Sequence, residues 1–117
     1  HHKSFEDERL ISERVPVVSL DNTIGNEINE NDNIKLIKID VEGSELAVLK
    51  GMIQLIKRYR PIIIIELTGN KAIEEAKYIF NDLGYSLKDL ERWNAPTVNG
   101  KHEMIITTLC LSNEVNT

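Results

Sequence analysis

The sequence predicts an α/β fold, a sheet of mostly parallel strands with flanking helices, and three observations carry that reading. Ile62-Ile63-Ile64-Ile65 is an unbroken β-branched run, as a strand covered by helices on both faces requires. On either side of it apolar residues recur at helical spacing: Leu46, Leu49, Ile53 and Ile56 before it, then Ile73, Ala76, Ile79 or Phe80, and Leu83 after it. Pro61 and Gly84 stop those two helices. The resulting order of strand, helix, strand, helix, strand, strand implies right-handed crossovers and one antiparallel strand near the end.

Residues 1–14 form a polar lead-in, whose opening His1-His2 resembles a purification-tag remnant and receives no role. Val15 to Leu20 reads as a short strand, with Pro16 suited to an edge. Asp21 reads as the N-cap of a short helix or turn, and the polar stretch Asn26 to Asn33 as a surface loop. Ile34 to Val41 is the next strand, ending at Gly43-Ser44 where a helix begins, with Lys50, Lys57 and Arg58 off its apolar stripe. Gly69-Asn70 caps the second helix. Tyr85-Ser86-Leu87 opens a strand, Asn94-Ala95-Pro96 and Asn99-Gly100 mark a polar turn region, and Met104 to Leu111 forms the last strand.

At 117 residues, with 41% apolar and 28% charged residues, the chain has room for one domain with a small core. A net charge of -5 argues against nucleic acid as partner, because backbone binding needs clustered Lys and Arg. Cys110 is the single cysteine, so neither a disulfide framework nor a zinc cluster can be built within the chain, which fits a reducing, cytoplasmic setting. The apolar runs are too short to span a bilayer.

The candidate chemistry gathers at strand ends. Asp40 and Glu42 lie two residues apart, so in an extended chain both carboxylates point to one side. Glu66 closes the Ile62–Ile65 strand, the expected parallel neighbour, and brings a third carboxylate to the rim where α/β proteins bind ligands. Such a trio can take a proton from a hydroxyl, hold a hard cation or hydrogen-bond a sugar-like substrate, and spacing alone does not choose. The structural alternatives are that Asp40 or Glu42 caps the helix near Ser44, and that Glu66 is a solvated strand end. Lys38 is a substrate contact or a snorkelling strand residue. His102 lacks a second histidine at metal spacing, Trp93 beside Arg92 is a lid or a cover for the core, and neither nucleotide-binding glycine pattern occurs.

The stretch Ile34 to Leu67, IKLIKIDVEGSELAVLKGMIQLIKRYRPIIIIEL, resembles the FkbM-type methyltransferases, in which I-K-x-D-V-E-G leads into E-L-x-V-L-x-G and then R-P-x-I-x-x-E. VPVVSLDNTI, residues 15–24, resembles the V-x-x-x-x-L-D segment that precedes it, so the likeness covers about residues 15–90. The resemblance implies a partial methyltransferase domain over 15–112 with a tail at 113–117, the C-terminal half of a Rossmann-like class I sheet. It implies methyl transfer from S-adenosylmethionine to a hydroxyl of a sugar, lipid or secondary-metabolite acceptor. Asp40 and Glu66 would then be catalytic, with Glu42 and Lys38 binding substrate. Related catechol-type enzymes hold magnesium at similar strand ends, but the FkbM pattern does not call for a metal. The family's V-D-x-G-A-N-x-G cofactor loop has no counterpart here, so these residues alone are expected to be inactive. The alternatives are a non-catalytic module pairing into a homodimer through an exposed strand edge, and a divalent-metal carboxylate site.

Overall fold

The computed structural model describes residues 12–24, 27–29, 31–41, 43–96 and 102–114. In chain order the elements are α1 Leu20–Thr23, β1 Leu36–Ile39, α2 Glu45–Lys50, α3 Ile53–Tyr59, β2 Ile62–Thr68, α4 Asn70–Asp82, β3 Tyr85–Pro96 and β4 His102–Ser112. The four strands form one sheet in the order β1-β2-β4-β3. β1 and β2 are parallel, with Leu36 opposite Ile62 and Ile39 opposite Ile65. β4 is antiparallel to both of its neighbours. The sheet is therefore mixed, and the expected mostly parallel pairing is corrected. β4 follows β3 too closely for a crossover, so the two pair as antiparallel neighbours, and β4 then separates β3 from β2.

The Ile62–Ile65 strand departs from its predicted setting. Along β2 burial alternates: Ile63, Ile65 and Leu67 are fully buried, while Ile62 is 43% exposed and Ile64, Glu66 and Thr68 are half-buried. The described helices cover one face only, where Leu49, Leu55 and Ile56 from α2 and α3 and Ile73, Ala76 and Phe80 from α4 close over Ile39, Ile65, Ile106 and Cys110. An apolar run shows that a strand is buried somewhere; period-2 geometry decides which side of it is.

The Val15–Leu20 strand is not formed. Val15, Val17 and Val18 are exposed, and no described strand pairs with them; without a neighbour to take its N–H and C=O groups, an extended segment remains coil. Ser19, not Asp21, is the N-cap of α1, its Oγ accepting from the Asn22 N–H at 3.2 Å. Asp21 acts at a distance: its carboxylate accepts from the Leu55 N–H at 2.9 Å and the Gln54 N–H at 3.0 Å, capping the first turn of α3. Its own N–H donates to the Gly51 carbonyl at 2.9 Å.

This contact explains why the single helix expected between Glu45 and Pro61 is two. The chain breaks at Gly51-Met52, where a Cβ on Gly51 would lie 3.2 Å from the Ser19 Cβ. A side chain at residue 51 would crowd the docked Ser19, and Asp21 supplies the cap that the restarted helix needs. Replacing Asp21 by alanine is expected to cost about 1–2 kcal/mol of stability, with asparagine costing less because its amide oxygen still accepts. Urea unfolding measures both variants, and equal losses would contradict the capping account.

Arg60 stands in a left-handed conformation, φ 49°, at the end of α3. Its guanidinium donates to the Leu83 carbonyl at 2.7 Å, the Gly84 carbonyl at 3.1 Å and the Ser112 Oγ at 2.9 Å, and lies 4.6 Å from the Tyr85 ring centroid. Tyr85 donates its hydroxyl to the Pro61 carbonyl at 2.7 Å. Gly84, at φ 78°, completes the turn, and a Cβ there would sit 3.3 Å from the Arg60 guanidinium.

Burial pushes the Tyr85 phenol up to about 12, against the pull of the Arg60 charge. Burial likewise pushes the Cys110 thiol up to about 12, reinforced by the Asp89 carboxylate. Both groups hold their protons in the folded chain over a range where the unfolded chain, with ordinary values of 9.0 and 10.0 for thiol and phenol, releases them. Unfolding therefore releases protons, and stability falls as pH rises from about 9 toward about 12. Urea midpoints measured across that range should decline, less steeply in Cys110→Ala.

Candidate active site

β1 and β2 run in the same direction, and their carboxyl ends form one rim with the far half of β3 and the start of β4. Thr68 pairs with Ile105, and Ile105 pairs on its other side with Trp93, so the three make one cross-strand row. Glu66, Thr107 and Glu91 make the row behind it. Asp40 follows the last pair of the parallel ladder, Ile39 with Ile65, one residue along just as Glu66 does on β2. Asp40 and Glu66 thus each stand one residue past the last pair of the parallel ladder, at the same end of the sheet. Glu42 lies outside the described residues. Lys38 pairs with Ile64 and is exposed, one row behind Glu66.

A cavity of about 460 Å³ opens at this rim, lined by Gly43, Glu66, Thr68, Trp93 and Ile105. Asp40 is exposed and is not among the described lining residues. Glu66 is half-buried and its carboxylate makes no hydrogen bond or ion pair with any described residue, which leaves its oxygens available to a ligand. Asp40 does not cap α2, whose N-cap Ser44 also makes no side-chain cap bond. Glu45 secures the turn instead: it is 4% exposed, and its two carboxylate oxygens accept from the Gly43 N–H at 3.0 and 3.1 Å. Gly43 itself adopts φ 94°. Among the described residues no group of three His, Cys, Asp or Glu side chains could hold a metal ion.

Trp93 reaches the cavity because of an irregularity in β3. Tyr85 and Asp89 face the core side of the sheet, Asp89 opposite the buried Thr108. Strict alternation would send Trp93 to that side as well. The register shift between Asp89 and Glu91 inserts Leu90 as an extra residue, so Glu91 and Trp93 turn to the face that carries Glu66. Asp89 holds the bulge, accepting from Arg92 at 2.8 Å and from the Thr108 hydroxyl at 3.1 Å. These bonds, led by that from Arg92, keep the Asp89 carboxyl below its ordinary value against the opposing effect of burial. The turn predicted at Asn94-Ala95-Pro96 is part of β3, which is extended by pairing Asn94 with Met104 and Pro96 with His102. Pro96 is tolerated there because β3 is an edge strand. Asn99-Gly100 lies outside the described residues.

Thr68, Ile105 and the bulge had no motif to reveal them. A second, mainly apolar cavity of about 410 Å³, lined by Val17, Val18, Leu20, Ala47 and Val48 among others, lies where α1 meets α2. No described helix is long and apolar enough to cross a membrane. The family described as the methyltransferase FkbM domain matches residues 1–87 of the chain. No curated protein matches it.

Proposed function

The chain belongs to the FkbM methyltransferase domain family, and from that premise we propose that it carries the acceptor side of an S-adenosylmethionine-dependent O-methyltransferase acting on a hydroxyl of a sugar, lipid or secondary metabolite. The observation that carries the proposal is Glu66, a half-buried carboxylate without a protein partner in the described structure, lining a rim cavity. A general base must reach the proton it removes, and a strand-end carboxylate facing a cavity is placed for that. Glu66 accepts the acceptor's hydroxyl proton, Asp40 beside it supports the charge at the rim, and Glu42 and Lys38 orient the substrate. The reversed final strand, and β2 as the parallel neighbour of β1, support the C-terminal half of a Rossmann-like class I sheet.

S-adenosylmethionine supplies an electrophilic methyl group, but the described residues do not fit it. Among the described residues that line the rim cavity Gly43 is the one glycine, no V-D-x-G-A-N-x-G loop occurs in the sequence, and no described strand pairs with the outer edge of β1. In this reading the glycine-loop half of the cofactor site is supplied by residues other than the described ones. Calorimetry of S-adenosylhomocysteine tests this, with heat expected only from a longer gene product; micromolar binding to the 117-residue chain would refute it. A second reading, a non-catalytic module that pairs with its own copy, is favoured by the outer edge of β1, which pairs with no described strand. Sedimentation showing a concentration-dependent dimer would support that reading, and a monomer would remove it.

A further inference from the structure

We propose that Trp93 is the specificity-determining residue of this site, its indole forming a platform for the face of a saturated, hydroxyl-bearing ring, a pyranoside, whose hydroxyls are held by Glu66 and Thr68. The inference rests on the acceptor reading above and narrows it to one chemistry.

Trp93 is the only tryptophan of the chain and remains 45% exposed. A tryptophan that merely covered the core would gain most by burying its ring. Here an extra residue, Leu90, re-aims the strand, and two side-chain bonds to Asp89 hold the irregularity. The outcome is an indole brought to the cavity that Glu66 and Thr68 also line. Bulges beside functional sites are conserved devices for redirecting a side chain.

The lining is divided by chemistry. Trp93 and Ile105 are apolar; Glu66 and Thr68 are polar. An aromatic face carries negative potential and attracts the weakly positive C–H groups on one face of a sugar ring. An ionised carboxylate accepts from two neighbouring hydroxyls, and a threonine hydroxyl both donates and accepts. A pyranoside satisfies both halves together. An acyl chain would leave Glu66 without hydrogen bonds, and an open-chain polyol would leave the indole uncovered. The volume of about 460 Å³ is in the range of small-molecule sites.

Because Trp93 is the sole tryptophan, emission excited selectively at the indole reports on this residue alone. The experiment titrates the 117-residue chain with methyl glucopyranoside, methyl mannopyranoside and methyl galactopyranoside, with sorbitol and catechol as controls. The expected result is a saturable emission change with at least one pyranoside and none with sorbitol. Saturation-transfer NMR on that pyranoside should then show affinity falling about ten-fold in Trp93→Ala and staying within about two-fold in Trp93→Phe. Emission indifferent to all three pyranosides, an equal response to sorbitol, or a response to catechol alone would overturn the inference. The measurement needs neither cofactor nor turnover. Pyranoside binding in a protein that transfers no methyl group would defeat the functional proposal and leave this one standing; methyl transfer without a Trp93 response would do the reverse.

Discussion

Replacing Arg60 by alanine is expected to lower the stability of the chain by about 3 kcal/mol. The guanidinium joins three parts of the molecule that are distant in sequence. It leaves the end of α3, takes the Leu83 and Gly84 carbonyls where α4 gives way to β3, and takes the Ser112 hydroxyl at the end of β4. Its side chain is only 12% exposed, so the carbonyls it releases would not be fully rehydrated. The Tyr85 ring beneath it would lose a cation and its covering stem as well. The contact with Glu114, 3.5 Å away and 62% exposed on the acid's side, adds little. Lysine should recover less than half of the loss, because an ammonium cannot span acceptors arranged around a planar fork. Urea denaturation of both variants measures this, and an alanine variant within about 1 kcal/mol of the parent would show that the three bonds are dispensable.

On the proposed base role, neutralising Glu66 as glutamine is expected to reduce methyl transfer by about 10²–10⁴-fold, with the acceptor's KM changed far less. Glutamine keeps the shape and one acceptor oxygen, so what it removes is the capacity to take a proton. Asp40→Asn should have the smaller effect, because Asp40 is exposed beside the cavity while Glu66 lines it. Glu74→Gln, on the exposed side of α4, serves as the control for lost charge. Should Glu66→Gln retain full turnover while Asp40→Asn loses it, the two roles are exchanged. Should both retain it, deprotonation does not depend on this rim.

Much of the framework is legible in the residues themselves. The β-branched run, the two apolar stripes and the stops at Pro61 and Gly84 place β2, the helices around it and the start of β3 within a few residues. The ordered motif from Ile34 to Leu67 points to the family that matches residues 1–87. Asp40 and Glu66 follow neighbouring parallel strands, and a crossover connection puts the carboxyl ends of both strands at the same edge of the sheet.

What local pattern could not supply is anything that depends on a partner far along the chain. Asp21 precedes a short helix and looks like its cap, yet it caps a helix more than thirty residues away, because only folding brings the α3 amides within reach. Gly51 looks like one more residue of a continuous helix until Ser19 packs against it. Four isoleucines in a row show burial but cannot say on which side, since that depends on which face the helices occupy. Trp93 would share the core side with Tyr85 by simple alternation, and the bulge at Leu90 turns it toward Glu66. Periodicity and punctuation are properties of neighbours in sequence, so the sequence determined β2, the apolar helical stripes on either side of it and the family. Sidedness, remote caps and a one-residue shift in register are properties of neighbours in space, and only the tertiary structure decided those.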